Sequence, residues 1–386
     1  MELVTRFFKP PTGSFFLLGP RGTGKSLWTG LCFPDALRID LLEPDIFRLY
    51  SGHPEHLREK IEAEPKRNCI VIDEVQKLPD LLAVVHSLME KKRHLQFVMT
   101  GSSARKLKRS GVDLLAGRAL MYTFHPFMAS ELGKKFHLET ALQQGMIPVI
   151  WSAKDPGAAL KAYIGLYLRE EIQLEALVRN IGNFSRFLEA ISFSHGSVLN
   201  LNNVSRECGV ERKTVEGYVS ILKDTLIAFD LPVFTKKAKR EMAAHPKFYL
   251  FDTGIFRALR PQGPLDQPQE IDGAALEGLV VQQIRAWNAY RGESNQLSYW
   301  RTRSNVEVDL VVYGKDEFWA IEVKNTSRIR PEDLRPLQSF REDYPAAKAL
   351  FLYRGKERLK RNGILCLPCD DFLKNLHPKK KLESAC

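Results

Sequence analysis

Long apolar runs and a cysteine framework are both missing from this sequence. The apolar run before Gly19 is too short for a signal peptide or a membrane span, so we expect a cytoplasmic protein without a membrane partner. Of the six cysteines only Cys366 and Cys369 stand in a C-x-x-C pair, and a second pair to complete a zinc site is missing. We therefore expect reduced thiols.

The sequence also lacks internal repeats and low-complexity linkers. Its 386 residues suffice for two or three domains with cores of their own. Its hydrophobic content of 44% and charged content of 27% are ordinary for a globular protein. The formal net charge of +11 favours a polyanionic partner, and nucleic acid is the first expectation.

A glycine-rich turn joins an apolar strand to a helix near the N-terminus. Residues 19–26 read GPRGTGKS and match G-x-x-x-x-G-K-[ST] in full. Backbone N–H groups of such a loop surround phosphate oxygens, and the next helix points its positive end at them. Lys25 would reach the β- and γ-phosphates, and Ser26 would bind magnesium. The predicted nucleotide-binding residues are Gly19, Pro20, Arg21, Gly22, Thr23, Gly24, Lys25, Ser26, Leu27, Asp73 and Ser102.

A second apolar strand, residues 69–72, ends in two carboxylates. A strand buried in a parallel sheet would place Asp73 and Glu74 beside the phosphate loop. We expect Asp73 to hold magnesium and Glu74 to polarise the attacking water. A solvated turn at the strand end is the alternative, and the glycine loop argues against it.

Two further positions extend this predicted site. A third apolar strand ends in polar residues, from which Thr100 or Ser102 would contact the γ-phosphate or the water. Arg118 lies in a loop of small residues and is a candidate arginine finger for a neighbouring subunit's nucleotide, which implies an oligomer. A surface arginine or a structural ion pair is an equal alternative for Arg118.

The middle of the chain has helical periodicity from Phe136 onward. Residues 199–234 then predict a helix, a tight turn at 208–210, a second helix and a strand, which is a helix-turn-helix with a wing. Arg212 and Lys213 begin the second helix, where nucleic-acid contacts are made. Packing against protein is the alternative. A basic cluster follows the wing: Lys236, Lys237, Lys239 and Arg240.

Charged and apolar residues alternate in two predicted strands between Glu307 and Lys324. Alternation assigns one apolar face to Val306, Val308, Leu310 and Val312. If the strands pair as a hairpin, Asp309, Glu322 and Lys324 converge on the other face.

Such a triplet suits metal-dependent phosphodiester chemistry. The two carboxylates and the carbonyl of Val323 would hold Mg²⁺ or Mn²⁺, and Lys324 would orient the attacking water. A cross-strand salt-bridge ladder on a solvated face is the alternative. Nearby aromatic residues, Trp300 and Trp319 among them, argue for a covered face where unpaired charges are costly.

Together these motifs resemble bacterial and archaeal AAA-plus-type ATPases with a C-terminal domain of unknown function. The resemblance rests on GPRGTGKS, IDEVQKLPDLL, TGSSARKL, LAGRAL, QQGMIP, YLREEI, KFYLFDTGIFRAL, LEGLVVQQI, YWRTRSNVEVDLVV and AIEVK. It implies the usual ATPase roles for Lys25, Ser26, Asp73 and Glu74. The segment around Asp309 is similar to PD-(D/E)xK nucleases, which implies that Glu277, on a helix, joins the metal ligands. Glu307 is an extra candidate, because alternation puts it on the same strand face as Asp309.

Basic residues follow this segment. A cluster suited to phosphate contacts comprises Arg354, Lys356, Arg358, Lys360 and Arg361, with a solvated loop as the alternative. Gln338 is either a site residue, as in some related nucleases, or an ordinary surface residue. Lys379–Lys381 predicts a flexible basic tail.

The sequence thus predicts an α/β chain in three parts. These are a P-loop ATPase domain with a parallel sheet (1–135), a helical and winged-helix region (136–240) and a restriction-endonuclease-like domain (241–386). The predicted function is ATP-driven processing of DNA, rather than RNA, with ATP, Mg²⁺ and a metal-dependent nuclease-like site. The rival is a nucleotide-dependent switch whose C-terminal domain binds DNA or protein without cleavage.

Overall fold

The computed structural model describes residues 3–103, 114–168, 181–236, 245–264, 266–292 and 295–386. The chain forms two compact units. The first unit comprises Phe8–His125 and Ile221–Ile227, and the second comprises Met1–Phe7, Pro126–Ser220 and Ala228–Cys386. Most of the region predicted as a middle domain therefore shares one unit with the predicted C-terminal domain, whereas Ile221–Ile227 belongs to the first unit.

The first unit is built on a parallel sheet of five strands. They are β1 (Phe15–Leu18), β2 (Leu37–Asp40), β3 (Cys69–Asp73), β4 (Gln96–Gly101) and β5 (Leu120–Thr123). Their order is β2-β3-β4-β1-β5, and every neighbouring pair is parallel. The apolar runs of β1 and β3 are buried, as parallel strands covered on both faces require. This order brings the C-terminal ends of β1, β3 and β4 to one edge of the sheet.

Helices cover this sheet. They are α1 (Lys25–Cys32), α2 (Pro44–Gly52), α3 (His56–Ala63) and α4 (Leu81–Lys91). The apolar faces of α2, α3 and α4 meet the sheet in one core cluster that includes Ile72, Leu81 and Val85. Trp28 of α1 packs instead against Phe15 and Phe124. Leu226, from the short segment that belongs to this unit, packs against the same cluster.

The second unit begins with short helices and continues into a small antiparallel sheet. The elements are α5 (Ala129–Leu132), α6 (Leu138–Gln144), α7 (Pro148–Trp151), α8 (Pro156–Ala162), α9 (Ile181–Ser192), β6 (Ser197–Val198), α10 (Leu201–Cys208), α11 (Arg212–Asp224), β7 (Ala228–Leu231) and β8 (Lys247–Leu250). The strand order is β6-β8-β7. Gly209 has φ 65°, which allows the tight turn between α10 and α11.

A mixed sheet of six strands forms the rest of this unit. Its elements are α12 (Thr253–Leu259), α13 (Pro268–Arg291), β9 (Gln296–Arg301), β10 (Glu307–Tyr313), β11 (Phe318–Lys324), α14 (Arg335–Asp343), β12 (Lys348–Tyr353), β13 (Leu359–Arg361), β14 (Ile364–Pro368) and α15 (Cys369–Asn375). The order is β13-β14-β12-β11-β10-β9. Strands β9, β10 and β11 pair antiparallel, whereas β12 runs parallel to both β11 and β14.

A bulge in β10 makes the predicted apolar face wrong. Strict alternation puts Val308 and Val311 on opposite faces, yet both belong to the core cluster that contains Trp300 and Phe340. The pairing of β9 with β10 shifts register between Val308 and Val311, because β10 carries one extra residue there. Val308 therefore does not share a face with Leu310 and Val312. Bulges of this kind redirect side chains and are common next to functional sites.

The C-terminal basic segment is held in place, so the prediction of a flexible tail is wrong. The indole Nε1 of Trp287 donates to the carbonyl of Lys380 at 3.1 Å. Leu382 is fully buried, and its N–H donates to Glu317 Oε1 at 3.1 Å. One buried leucine and a buried carboxylate thus fix a backbone whose lysine side chains remain exposed.

All six cysteines are free thiols, and Cys366 and Cys369 are both buried. Within the described ranges, none of the helices combines the length and the apolar character that a bilayer crossing requires.

Candidate functional site

Three glycines shape the loop between β1 and α1. Gly22 has φ 77° and Gly24 has φ 90°, values at which a side chain would strain the backbone. A Cβ atom on Gly19 would lie 2.3 Å from the carbonyl oxygen of Phe124. The loop therefore needs glycine at all three positions predicted to accommodate a phosphate.

Lys25 is folded onto this loop. Its side chain is buried, and Nζ donates to the carbonyl oxygens of Gly19 at 2.6 Å and Pro20 at 3.2 Å. Thr23 Oγ1 donates to the carbonyl of Pro20 at 2.8 Å. Ser26 and Leu27 are exposed at the beginning of α1, and Arg21 is partly buried. Since phosphate oxygens are stronger acceptors than neutral carbonyls, the ammonium of Lys25 is placed to exchange partners when a nucleotide binds.

Asp73 lies at the end of β3, beside Thr100 on β4. The Thr100 hydroxyl donates to Asp73 Oδ1, and the backbone N–H of Glu74 donates to Thr100 Oγ1 at 3.2 Å. Glu74 has φ 55°, so the chain turns sharply directly after Asp73. Neighbouring strands thus bring together the two carboxylates and Thr100 as the sequence predicts.

The Glu74 carboxylate is held by two residues. Its Oε2 accepts from the N–H of Ser102 at 3.3 Å and from the Ser102 hydroxyl at 3.1 Å. Gln76 Nε2 donates to the same oxygen and also to Ser102 Oγ at 2.9 Å. Ser102, predicted as a phosphate contact, therefore contacts Glu74, and Gln76 is a site residue that the sequence did not reveal.

Arg118 forms an ion pair within its own unit. Nη2 donates to Glu90 Oε1 at 2.9 Å, and Nη1 lies 2.9 Å from His86 Nε2, both on α4. The side chain is 39% exposed. This is the structural ion pair that the sequence left open as an alternative to an arginine finger.

The second unit carries a cluster of carboxylates where β10 meets β11. The pairing of Leu310 with Ile321 sets Asp309 opposite Glu322. Asp309 Oδ2 accepts from the N–H of Val323 at 2.9 Å, which fixes its orientation. Lys324 Nζ lies 2.7 Å from Glu322 Oε1. The structure thus brings the predicted triplet together, with both acids buried and the lysine side chain 43% exposed.

A buried lysine that the sequence pattern did not reveal completes this cluster. Lys247 Nζ lies 2.9 Å from Glu277 Oε1 and 2.6 Å from Glu307 Oε1. A third contact reaches Asp309 Oδ1 at 3.4 Å. The Lys247 side chain is only 2% exposed. The sequence contained one sign of this lysine's role: it begins KFYL, an otherwise apolar segment that forms a strand buried throughout.

Burial and mutual repulsion shift the pKa values of these acids. Burial, reinforced by the charge of Asp309, raises the pKa of Glu277 to about 7. The same two causes, in the same order, raise the pKa of Glu322 well above its usual range. Burial lowers the pKa of Lys247, but the carboxylates around it outweigh this effect and keep it charged. The Tyr249 hydroxyl donates to Glu277 Oε1 at 2.6 Å.

A divalent cation fits beside Asp309 and Glu322. Glu322 is buried, and its Oε2 has no hydrogen-bond partner among the described residues. The four carboxylates of the cluster face three cationic groups, which are Lys247, Lys324 and Arg301. Within the described ranges no three His, Cys, Asp or Glu side chains complete a metal site by themselves. The Val323 carbonyl and water would supply the remaining oxygen ligands, as is usual for Mg²⁺.

The predicted nucleic-acid residues of the middle region are mostly exposed. Arg212 Nε donates to Glu216 Oε1 at 2.9 Å in the first turns of α11, and Lys213 is exposed beside it. Lys236 Nζ lies 4.4 Å above the ring of Tyr313. Lys237, Lys239 and Arg240 lie outside the described residues.

Arg354 lies beside Asn325, the residue that follows Lys324. Strands β11 and β12 are parallel, with Lys324 opposite Tyr353, so the next residues, Asn325 and Arg354, are neighbours. Arg354 Nη1 donates to Asn325 Oδ1 at 3.1 Å, and Arg354 Nη2 forms an ion pair with Glu139. Lys356, Arg358, Lys360 and Arg361 are exposed on the segment that follows. Gln338 on α14 is partly buried.

Three protein families match successive parts of the chain. Residues 12–133 match a AAA domain. Residues 135–266 match a domain of unknown function, DUF8612, and residues 272–372 match another, DUF4143. The AAA match, the glycine loop and the parallel sheet together support a P-loop ATPase of AAA type, a class that implies a nucleotide and typically Mg²⁺.

The chain is also similar to uncharacterized proteins of Mycobacterium bovis and Mycobacterium tuberculosis. Each is 27% identical over 312 residues, which cover 79% of this chain and 69% of the relative. Two solved structures are more distant. Domain III of the Thermotoga maritima replication initiation protein DnaA is 15% identical, covers 42% of this chain and 77% of its own, and has a TM-score of 0.24. The Aeropyrum pernix ORC2 protein in its ADP form is 10% identical, covers 70% and 89%, and has a TM-score of 0.32. Scores this low carry no conclusion about this chain.

Proposed function

We propose that this chain is an ATP-hydrolysing protein that processes DNA, with a P-loop ATPase and a metal-dependent nuclease-like site on one polypeptide. The observation that carries the nuclease half is the meeting of Asp309, Glu322 and Lys324, where Glu322 Oε2 is buried without a hydrogen-bond partner among the described residues. The AAA match and the loop around Lys25 carry the ATPase half.

In the ATPase half, Lys25 binds the β- and γ-phosphates, and Ser26 and Asp73 hold Mg²⁺. Glu74 orients the attacking water, and Ser102 and Gln76 set the position of its carboxylate. Arg118 acts in trans only if it leaves Glu90, and the proposed oligomer depends on that exchange.

In the nuclease-like half, Asp309 and Glu322 would hold Mg²⁺ or Mn²⁺ with the Val323 carbonyl. Glu277 and Glu307 are near Asp309, because all three carboxylates contact Lys247. When bound, the metal supplies a more acidic water and neutralises charge on the phosphate. Lys324 is held by Glu322 and half-exposed, so its ammonium is placed to orient that water. Arg354, at the adjacent strand end, is placed to bind a neighbouring phosphate group.

The middle region fits a winged helix that contacts DNA or packs against protein. The order α9, β6, α10, α11, β7, β8 and the tight turn at Gly209 support this architecture. In DNA binding, Arg212 would exchange Glu216 for a phosphate, and Lys213 would join it. The free thiols are consistent with the proposed cytoplasmic location.

A second candidate function is a nucleotide-dependent switch whose C-terminal domain binds DNA or protein without cutting. The observation that favours it is Lys247, which already neutralises part of the carboxylate cluster from within the chain. A cluster whose negative charge is largely compensated by the chain's own cations has less need of a metal.

Cleavage of plasmid, linear and single-stranded DNA with Mg²⁺ or Mn²⁺ separates the two candidates. We expect Asp309→Ala to abolish cleavage and to retain ATP hydrolysis, whereas Lys25→Ala abolishes ATP hydrolysis. Asp316→Ala is the matched control, because Asp316 lies in the turn of the same hairpin with its side chain 45% exposed. If the wild-type protein binds DNA but cleaves no form of it with either metal, the nuclease proposal is wrong and the switch is favoured.

A further inference from the structure

We propose that the ammonium group of Lys247 occupies a second cation position in the carboxylate cluster, so that the site takes one divalent cation and not two. This inference deepens the proposed metal site and rests on it. The consequence is a distinct stoichiometry of metal binding, which can be measured without any nuclease activity.

The first support is the fit between Lys247 and its surroundings. An ammonium group has three N–H donors, and three carboxylates surround this one at 2.6 Å, 2.9 Å and 3.4 Å. A lysine whose side chain is 2% exposed stays charged in a protein only if such partners compensate for the lost water. The position is therefore built for a cation, and the chain provides one.

The second support is the way Asp309 divides the cluster. Its Oδ1 faces Lys247 at 3.4 Å, and its Oδ2 is held by the N–H of Val323 at 2.9 Å. Glu277 lies on the Lys247 side, whereas Glu322 lies across the hairpin from Asp309. Asp309 thus stands between two places that favour positive charge.

The two cation positions differ, because one contains the Lys247 ammonium and the other contains a carboxylate oxygen of Glu322 that is unpaired within the described ranges. Glu277 and Glu307 have an ammonium within 3 Å, but Glu322 Oε2 is buried and has no hydrogen-bond partner among the described residues. Sites with two metals hold their ions only about 3.5–4 Å apart, on shared carboxylates. Asp309 is the shared carboxylate here, and Lys247 takes the place of one ion.

Removal of the ammonium should open that place to a metal. Glu277, Glu307 and Asp309 would then present three carboxylates around the vacated position, while Arg301 remains paired with Glu307 at 3.5 Å. Three carboxylates and water are a ligand set that suits a hard divalent ion. We therefore expect Lys247→Gln to raise the number of bound ions from one to two per chain. The same change at Lys348, which pairs with Glu383 at 2.8 Å on the surface, should leave the number at one.

The test is a titration of the full chain with Mn²⁺, followed by electron paramagnetic resonance of the free ion, at pH 8 and without nucleotide. All variants carry Asp73→Asn, which removes the contribution of the ATP site. One ion in the parent and the Lys348→Gln control, and two in Lys247→Gln, support the inference. Two ions in the parent, or one ion in folded Lys247→Gln, would overturn it.

Two further outcomes are informative. If Lys247→Gln does not fold in metal-free buffer, its unfolding midpoint is measured against Mn²⁺, and recovery of folding by Mn²⁺ supports the inference whereas the absence of recovery contradicts it. If the parent binds no ion, both this inference and the nuclease proposal fail. If the parent binds one ion but cleaves no DNA, only the nuclease proposal fails.

Discussion

Ser102 offers the sharpest test of how the ATPase site works. The Glu74 carboxylate oxygen Oε2 accepts from the Ser102 hydroxyl at 3.1 Å and from its backbone N–H at 3.3 Å. Ser102→Ala removes the hydroxyl and retains the N–H. Because Ser102 is 5% exposed, water does not readily replace the lost donor. We expect Glu74 to lose part of its orientation toward the attacking water.

The size of the effect follows from the bond that is lost. A hydrogen bond to a charged group contributes about 1.5–3 kcal/mol. If that energy is needed in the transition state and not for binding, kcat for ATP hydrolysis falls about 10- to 100-fold. KM for ATP should change little, because Lys25 and the backbone N–H groups of the glycine loop, which bind the phosphates in the proposed site, are untouched.

Steady-state ATP hydrolysis by Ser102→Ala, Gln76→Ala and the double variant provides the assay. Gln76 donates to both Glu74 and Ser102, so the two changes should be non-additive. Ser102→Thr, which keeps the hydroxyl, is the matched control. The reasoning is refuted if Ser102→Ala raises kcat, since the hydroxyl would then restrain Glu74 away from the water, or if only KM changes.

Two predictions concern stability in the second unit. Burial raises the pKa of Asp252 to about 6 although it caps α12, so the folded chain binds this proton more tightly than the unfolded chain. The contribution of Asp252 to the free energy of unfolding should therefore fall by about 3 kcal/mol as pH rises from about 4 to 6 and should stay constant above that range. Urea titrations should show that Asp252→Asn removes this dependence, while Asp155→Asn, at the exposed cap of α8, keeps it. Gly278→Ala should cost about 1–3 kcal/mol, because its Cβ would lie 2.2 Å from His195 Nε2. Gly273→Ala on the same helix, where an added Cβ meets no described atom within 4 Å, should instead stabilise by up to about 1 kcal/mol. Equal effects of the two alanines would contradict the packing argument.

Local sequence predicted the strands and the glycine loop of the first unit, because their geometry is local. The apolar runs of β1 and β3 form buried parallel strands, and polar residues at 25, 73 and 100 follow or end elements at one sheet edge. The turn at Gly209 likewise lies where the sequence predicts it. Each of these features depends on residues within a few positions of one another or on the general rule that parallel strands end together.

Other features depend on distant contacts, which a sequence pattern does not show. Lys247 meets Asp309 across 62 positions, and nothing beside either residue indicates the other. The bulge in β10 reverses the alternation between Val308 and Val311, and a period of two cannot predict where it fails. The C-terminal lysines suggest a mobile tail, but their backbone is fixed by Trp287 and Glu317, far away in sequence.

The surroundings of Lys247 also show how one set of residues is compatible with two candidate functions that differ in their chemistry. Both are compatible with the carboxylates on β10 and β11 and with the ammonium beside Asp309. They part at Glu322, whose buried Oε2 needs either a metal or a proton, since a lone buried carboxylate oxygen is costly. A metal there gives a nuclease-type site, whereas a proton there gives a neutral acid beside Lys324 and a domain that can only bind. The protonation state of Glu322 with and without Mn²⁺ therefore decides between cutting and binding.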